Sequence, residues 1–300
     1  MLTKCLLILL CLIATAEANK VLVIITGSVR GSDLAHKSLE LHLLKPYNAD
    51  LFLCTGESDD HSPYIYQLAT YLHEYPLSEN WRTTTDTISQ HLFGHTLWRN
   101  YSAELLGEGL LGCYDAQDHW TGSGSGLLVL ASRYYAWQWL GQSGILDHYD
   151  AFVVSRSDYY YLADHPDIAR LLSSKSHIAI PFIHEDFAGI CDRHAVLDRL
   201  GLEAYLTALK PFLEFHPENG PYTNDEQVLH AALCKYHHFT PLRYRMPAYM
   251  VRPDNDQTVT WSPGSAQDAN GLWIKQYGEH EEATRCVSRQ PPSRHKTCPN

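Results

Sequence analysis

The stretch Lys20-Val21-Leu22-Val23-Ile24-Ile25-Thr26 decides the fold class, with the turn Gly27-Ser28-Val29-Arg30-Gly31-Ser32 that ends it. Six apolar or β-branched residues in a row do not alternate with polar ones. Such a run marks a strand covered on both faces, the habit of parallel sheets. Downstream, the spacing predicts a helix from about Asp33 to Leu44, with Leu34, Leu41 and Leu44 on one face, stopping before Pro46. Asp50-Leu51-Phe52-Leu53-Cys54-Thr55 reads as a second strand. Strand, helix and strand within so short a span form a βαβ unit, so the sheet begins parallel.

Further along, helices are expected near Tyr64–His73, Leu97–Leu106 and Leu127–Leu140, with a strand over Tyr149–Asp158 that runs into a polar end and a short strand over His177–Pro181. A helix over Asp167–Ser173 and another over Leu197–Phe215, broken near Pro211, follow from their apolar spacing. Thr223-Asn224-Asp225-Glu226 reads as a capping box opening a helix to about Tyr236, and Phe239–Val251 as a closing strand pair. The expectation is an α/β fold: a single Rossmann-like domain over 19–253 with a mostly parallel central sheet, then a polar C-terminal extension over 254–300.

Upstream of the first strand, Lys4, the apolar run Cys5 to Ala14 and the small-residue pattern Ala16-Glu17-Ala18 read as a signal peptide over 1–18. An uncleaved signal anchor is the alternative; no other segment is long and apolar enough to span a bilayer. The expected location is the secretory lumen or the exterior. Six of the eight cysteines lie beyond the signal, an even number that suggests disulfides. Cys286 and Cys298 are close enough in sequence to pair, whereas Cys54 sits in an apolar strand and also reads as a buried thiol. Asn100-Tyr101-Ser102 is a glycosylation sequon.

The protein has 300 residues, a formal net charge of −11 and no dense basic run before its tail, which argues against a nucleic-acid partner. Binding of an anionic ligand would then need a local positive pocket or a metal. Ligands of open α/β sheets lie outside the carboxyl ends of the strands. Gly27, Ser28 and Arg30 occupy such an end, where Gly27 admits a close ligand and Arg30 can pair with a diphosphate. Arg156-Ser157-Asp158 follows the strand Phe152-Val153-Val154 and faces the same edge. An oxygen ligand there suits Mg²⁺ or Mn²⁺; a plain Arg–Asp pair is the structural alternative. Glu185-Asp186, Asp192-Arg193 and Glu226 offer carboxylates for general-base work, though acids at a helix start also simply complement its dipole. The glycine-rich loop Gly122–Gly126 lacks the lysine of a P-loop. No H-E-x-x-H, C-x-x-C, G-x-G-x-x-G or G-x-S-x-G occurs. The aromatics of Tyr134-Tyr135-Ala136-Trp137-Gln138-Trp139 fall at helical spacing, which favours core packing over sugar stacking.

In order, these motifs resemble a loose group of GT-A-like glycosyltransferases of polysaccharide-synthesis clusters and of algal or viral genomes. The likeness runs from Val21 to Val251, through Thr26-Gly27-Ser28-Val29-Arg30, Arg156-Ser157-Asp158, Gly189-Ile190-Cys191-Asp192-Arg193 and Asn224-Asp225-Glu226. The R-x-D takes the place of the D-x-D metal motif, with Arg156 where the first carboxylate would stand. The resemblance implies that Asp158 contacts a divalent metal and the diphosphate of a nucleotide sugar. It implies that Gly27 and Arg30 bind nucleotide, and that Asp192 and Glu226 face a hydroxyl acceptor, one of them as the base; Asp186 stays a candidate base on its carboxylate alone. A metal-dependent phosphoester hydrolase and an inactive, carbohydrate-binding relative are the alternative functions.

Overall fold

The computed structural model describes residues 20–76, 81–100, 126–172, 176–182, 187–214, 222, 224–252 and 266–289. The signal segment, the glycine-rich loop before Gly126, Asp186, Cys113 and Cys298 lie outside them. Strand β1 (Val21–Thr26) pairs in parallel with β2 (Asp50–Gly56) on one side and β4 (Ala151–Ser155) on the other. Beyond β2 lies β3 (Tyr71–Tyr75), also parallel. Beyond β4 lies β7 (Ala195–Leu197), antiparallel to β4 and to β6 (Ile178–Pro181), and β6 pairs in parallel with β8 (Leu242–Tyr244). The seven-stranded, mostly parallel sheet thus has the order β3-β2-β1-β4-β7-β6-β8. A smaller sheet orders β10 (Trp273–Ile274), β9 (Ala248–Arg252) and β5 (Tyr159–Tyr161).

Alternate residues of β1 explain why its sequence is continuously apolar. Val21, Val23 and Ile25 face one layer, with helix α1 (Asp33–Leu39), its π-helical continuation Glu40–Leu44, and the tyrosines of β5. Leu22 and Ile24 face the other, with α2 (Gly126–Ser143), α3 (Arg199–Leu206), α4 (Leu209–Glu214) and α5 (Asp225–His230). Leu22, Val23, Ile24 and Ile25 are wholly buried, each stabilising the fold by about 2 kcal/mol. The aromatic helix α2 packs into the core: Trp139 stacks on Phe52 at 4.5 Å and Tyr135 on Tyr75 at 4.8 Å.

Local details differ from the sequence reading. Tyr71–Tyr75 is strand β3, where a helix to His73 was expected, because the open side of β2 offers backbone partners to a half-solvated segment. The break expected at Pro211 falls earlier, between α3 and α4, which leaves Pro211 in the first turn of α4, where its missing N–H costs nothing. Asn224 caps α5, one residue into the expected capping box, accepting from the Gln227 backbone N–H at 2.9 Å. Cys54, Cys191 and Cys234 are free thiols, Cys54 in keeping with its reading as a buried thiol, whereas Cys286 is disulfide-bonded. Cys286 is buried in α6 (Tyr277–Ser288), which packs on β9, so residues 266–289 supply a strand and a helix to the body of the fold.

Candidate active site

The backbone leaves β1 to cross toward β2 on one side and arrives at β4 on the other. The carboxyl ends of β1 and β4 therefore flank a topological switch point, where such sheets open a crevice. Both strand ends turn sharply. Gly27 and Gly31 have φ of +92° and +87°, conformations that glycine alone adopts without strain. A Cβ on Gly31 would lie 3.0 Å from the Asp158 Cα and the Ser157 carbonyl oxygen, so the two turns are in close contact. The Arg30 backbone N–H donates to Ser157 Oγ at 2.8 Å, and the buried His36 Nε2 lies 3.0 Å from the Arg30 carbonyl.

An open cleft sits over this edge, where ligands of such sheets bind. It is lined by Gly27, Ser28, Arg30, Arg156, Asp158 and Asp192, six of the eight residues singled out in the sequence. Glu226 is not in its lining but lies one guanidinium away, its Oε1 3.4 Å from Arg193 Nη1. Asp186 lies outside the described residues.

Asp158 is 1% exposed. Arg156 grips it with two bonds of 2.8 Å, Nε to Oδ1 and Nη2 to Oδ2. Lys275 Nζ, itself buried, reaches Oδ2 at 3.2 Å. Burial alone would raise this carboxyl's pKa, but Arg156, Lys275 and Arg30 outweigh it and hold the group far below the usual carboxylate range. The expected metal does not suit this arrangement. Both carboxylate oxygens already face cations, and a divalent ion there would meet Arg30, Arg156 and Lys275 at once. Among the described residues no cluster of three His, Cys, Asp or Glu side chains is disposed to hold a metal.

A second charged group forms the other wall. Arg133, on α2, donates through Nη2 to the Asp192 backbone carbonyl and to its Oδ2 at 3.3 Å, and its guanidinium lies 4.8 Å from the Tyr205 ring. Arg193 Nη1 lies 3.6 Å from Asp192 Oδ1, and its Nε donates to Glu279 Oε1 of α6 at 2.9 Å. Burial would raise Asp192, but Arg193 and Arg133 keep it ionised. Neighbouring Asp225 is pushed well up by burial and by the charges of Asp192 and Glu226, and it hydrogen-bonds with Asp192. Glu226 is raised to about 7, first by burial and then by Asp192. A guanidinium-flanked carboxylate beside a carboxyl that titrates near neutrality is suited to moving a proton.

Behind the cleft, lining residue Ser155 is fixed by a buried histidine pair. His194 Nδ1 lies 2.9 Å from Ser155 Oγ, and His194 Nε2 lies 3.1 Å from His165 Nε2. Burial lowers both, His165 to about 4, so they are neutral at physiological pH.

Sequence reasoning missed Arg133, Lys275 and Glu279. Arg133 carried a faint signal, a Ser-Arg pair inside an otherwise apolar helix. Lys275 and Glu279 carried none, since they lie in a segment read as a polar appendage.

No protein-family model and no curated protein matches the sequence. Among solved structures it is similar to the glycosyltransferase GlyE of Streptococcus pneumoniae TIGR4, at 14% identity and a TM-score of 0.36. The alignment covers 76% of this protein and 45% of that one, so the present sequence spans under half of that enzyme's length.

Proposed function

We propose that the protein is a glycosyltransferase that binds a nucleotide sugar across the carboxyl ends of β1 and β4 and passes the sugar to an acceptor hydroxyl. One observation carries this reading: the cleft at the switch point brings four arginines from four separate segments, Arg30, Arg133, Arg156 and Arg193, together with the carboxylates of Asp158 and Asp192. Arg30 and Arg156 face the diphosphate and neutralise the charge that develops as it departs, an electrostatic role that needs no proton transfer. The acceptor hydroxyl gives its proton to the Asp192–Asp225–Glu226 group as its oxygen attacks the anomeric carbon. The acceptor is a glycan or another hydroxyl compound, and the N-terminal apolar run supports a secretory setting.

The engagement of Asp158 by Arg156 and Lys275 favours a second reading, a sugar-nucleotide-binding protein without turnover. Incubation with a panel of nucleotide sugars and acceptor glycans, following nucleoside diphosphate release, separates the two. Release that falls at least about 100-fold in Asp192→Asn supports the transferase, since general-base catalysis contributes about 10²–10⁴. Binding with no release supports the second reading, and phosphate release from simple esters would point instead to a hydrolase.

A further inference from the structure

We propose that the diphosphate subsite works without a metal, its positive charge supplied by Arg30 and Arg133 and balanced from behind by Lys275. This rests on the nucleotide-sugar reading and adds to it the chemistry of the subsite. Three observations converge. First, Arg133 is 3% exposed and lines the cleft, yet among the described residues its Nε and Nη1 have no hydrogen-bond partner. A buried guanidinium with unmet donors is costly, and an anion in the cleft is the partner that would satisfy it. Second, the Arg30 guanidinium makes no hydrogen bond or ion pair among the described residues, although its backbone is anchored by Ser157 at the cleft wall. It is an exposed cation at the cleft wall, carried on an anchored backbone. Third, Asp158, the lone strand-end carboxylate, is matched by two cations, so the Arg156–Asp158–Lys275 group carries net positive charge.

Lys275 is not among the cleft-lining residues and need not touch the ligand. It is a positioning residue: it cancels the charge that would otherwise repel a diphosphate, and it occupies the oxygen that a metal would take. A divalent ion and Lys275 are thus alternative partners of Asp158. The segment that follows β9 completes the subsite by delivering this ammonium group.

Calorimetric titration of the full-length protein with inorganic pyrophosphate, UDP and GDP, in EDTA and in Mn²⁺, tests this. The wild type is expected to bind at least one of these probes in EDTA, with affinity within about twofold of that in Mn²⁺. Arg30→Gln, a change at an exposed side chain that folding tolerates, is expected to weaken binding about tenfold in both conditions. Lys275→Met, checked for folding by circular dichroism, is expected to weaken binding in EDTA and to recover at least part of it in Mn²⁺, because Asp158 then has an oxygen to offer. A merely structural role for Lys275 would lower both affinities alike, and that result would overturn the proposal. Binding by the wild type only when Mn²⁺ is present would also overturn it while leaving the nucleotide-sugar reading intact. Absence of binding in both conditions, with nucleotide sugars also failing to bind, would overturn both.

Discussion

At the residue scale, the site is governed by which charges are matched. Glu226 titrates at about 7, where an ordinary glutamate titrates at 4.5. Between those values the folded protein binds a proton that the unfolded one has lost, so this residue makes stability fall as pH rises across that window and levels off above it. Glu226→Gln is expected to flatten the decline in a series of thermal melts from pH 4.5 to 8. In the transferase assay it is expected to remove an ionisation near neutrality from the pH profile of kcat/KM. Asp158 behaves in the opposite sense. Its depressed pKa contributes stability at all pH above the usual carboxylate range, and that contribution is lost only as pH falls below about 4. Asp158→Asn leaves Lys275 buried beside a neutral amide, and one-sided loss of a buried pair costs on the order of 3 kcal/mol. Denaturant unfolding is expected to show that gap at pH 7 and to show it closing in strong acid.

At the element scale, two turns that hold the strand ends together do as much as the strands. Gly31→Ala places a methyl 3.0 Å from backbone atoms of Ser157 and Asp158 at a φ that alanine avoids. It is expected to cost about 1–3 kcal/mol and to weaken nucleotide binding, read together by melting and calorimetry. The β1 strand was legible because burial on both faces makes its centre continuously apolar, and the centres of β2 and β4 for the same reason. The residues at their ends were legible because strand-end geometry directs ligands there whatever their chemistry. Strand β3, Tyr-Leu-His-Glu-Tyr, was not legible, because half of it meets solvent and its conformation depends on pairing with β2. The short strands β5, β7 and β10 span two or three residues, too few for any period to show. The pairing of Asp158 with Lys275 joins positions 117 residues apart and leaves no local trace.

At the scale of the whole molecule, a protein of net charge −11 builds a cleft walled by arginines, so anion binding rests on local placement against the overall field. That placement draws on the C-terminal segment. Glu279 binds Arg193, accepts from the Tyr159 hydroxyl at 3.3 Å and from the Met250 N–H at 3.1 Å, while β10 and α6 cover Tyr249 and Val251. A truncation ending at Arg252 strands these groups. It is expected to melt roughly 10 °C lower than the full-length protein, as the loss of several kcal/mol implies at this size, and to lose pyrophosphate binding. The most direct test of the central claim is a crystal structure of the full-length protein grown with a nucleoside diphosphate in EDTA. The diphosphate is expected at the β1/β4 edge, against the Gly27–Ser28 turn and within hydrogen-bond reach of Arg30 and Arg133. A diphosphate bound away from that edge, or held there only through a metal on Asp158, would contradict that claim.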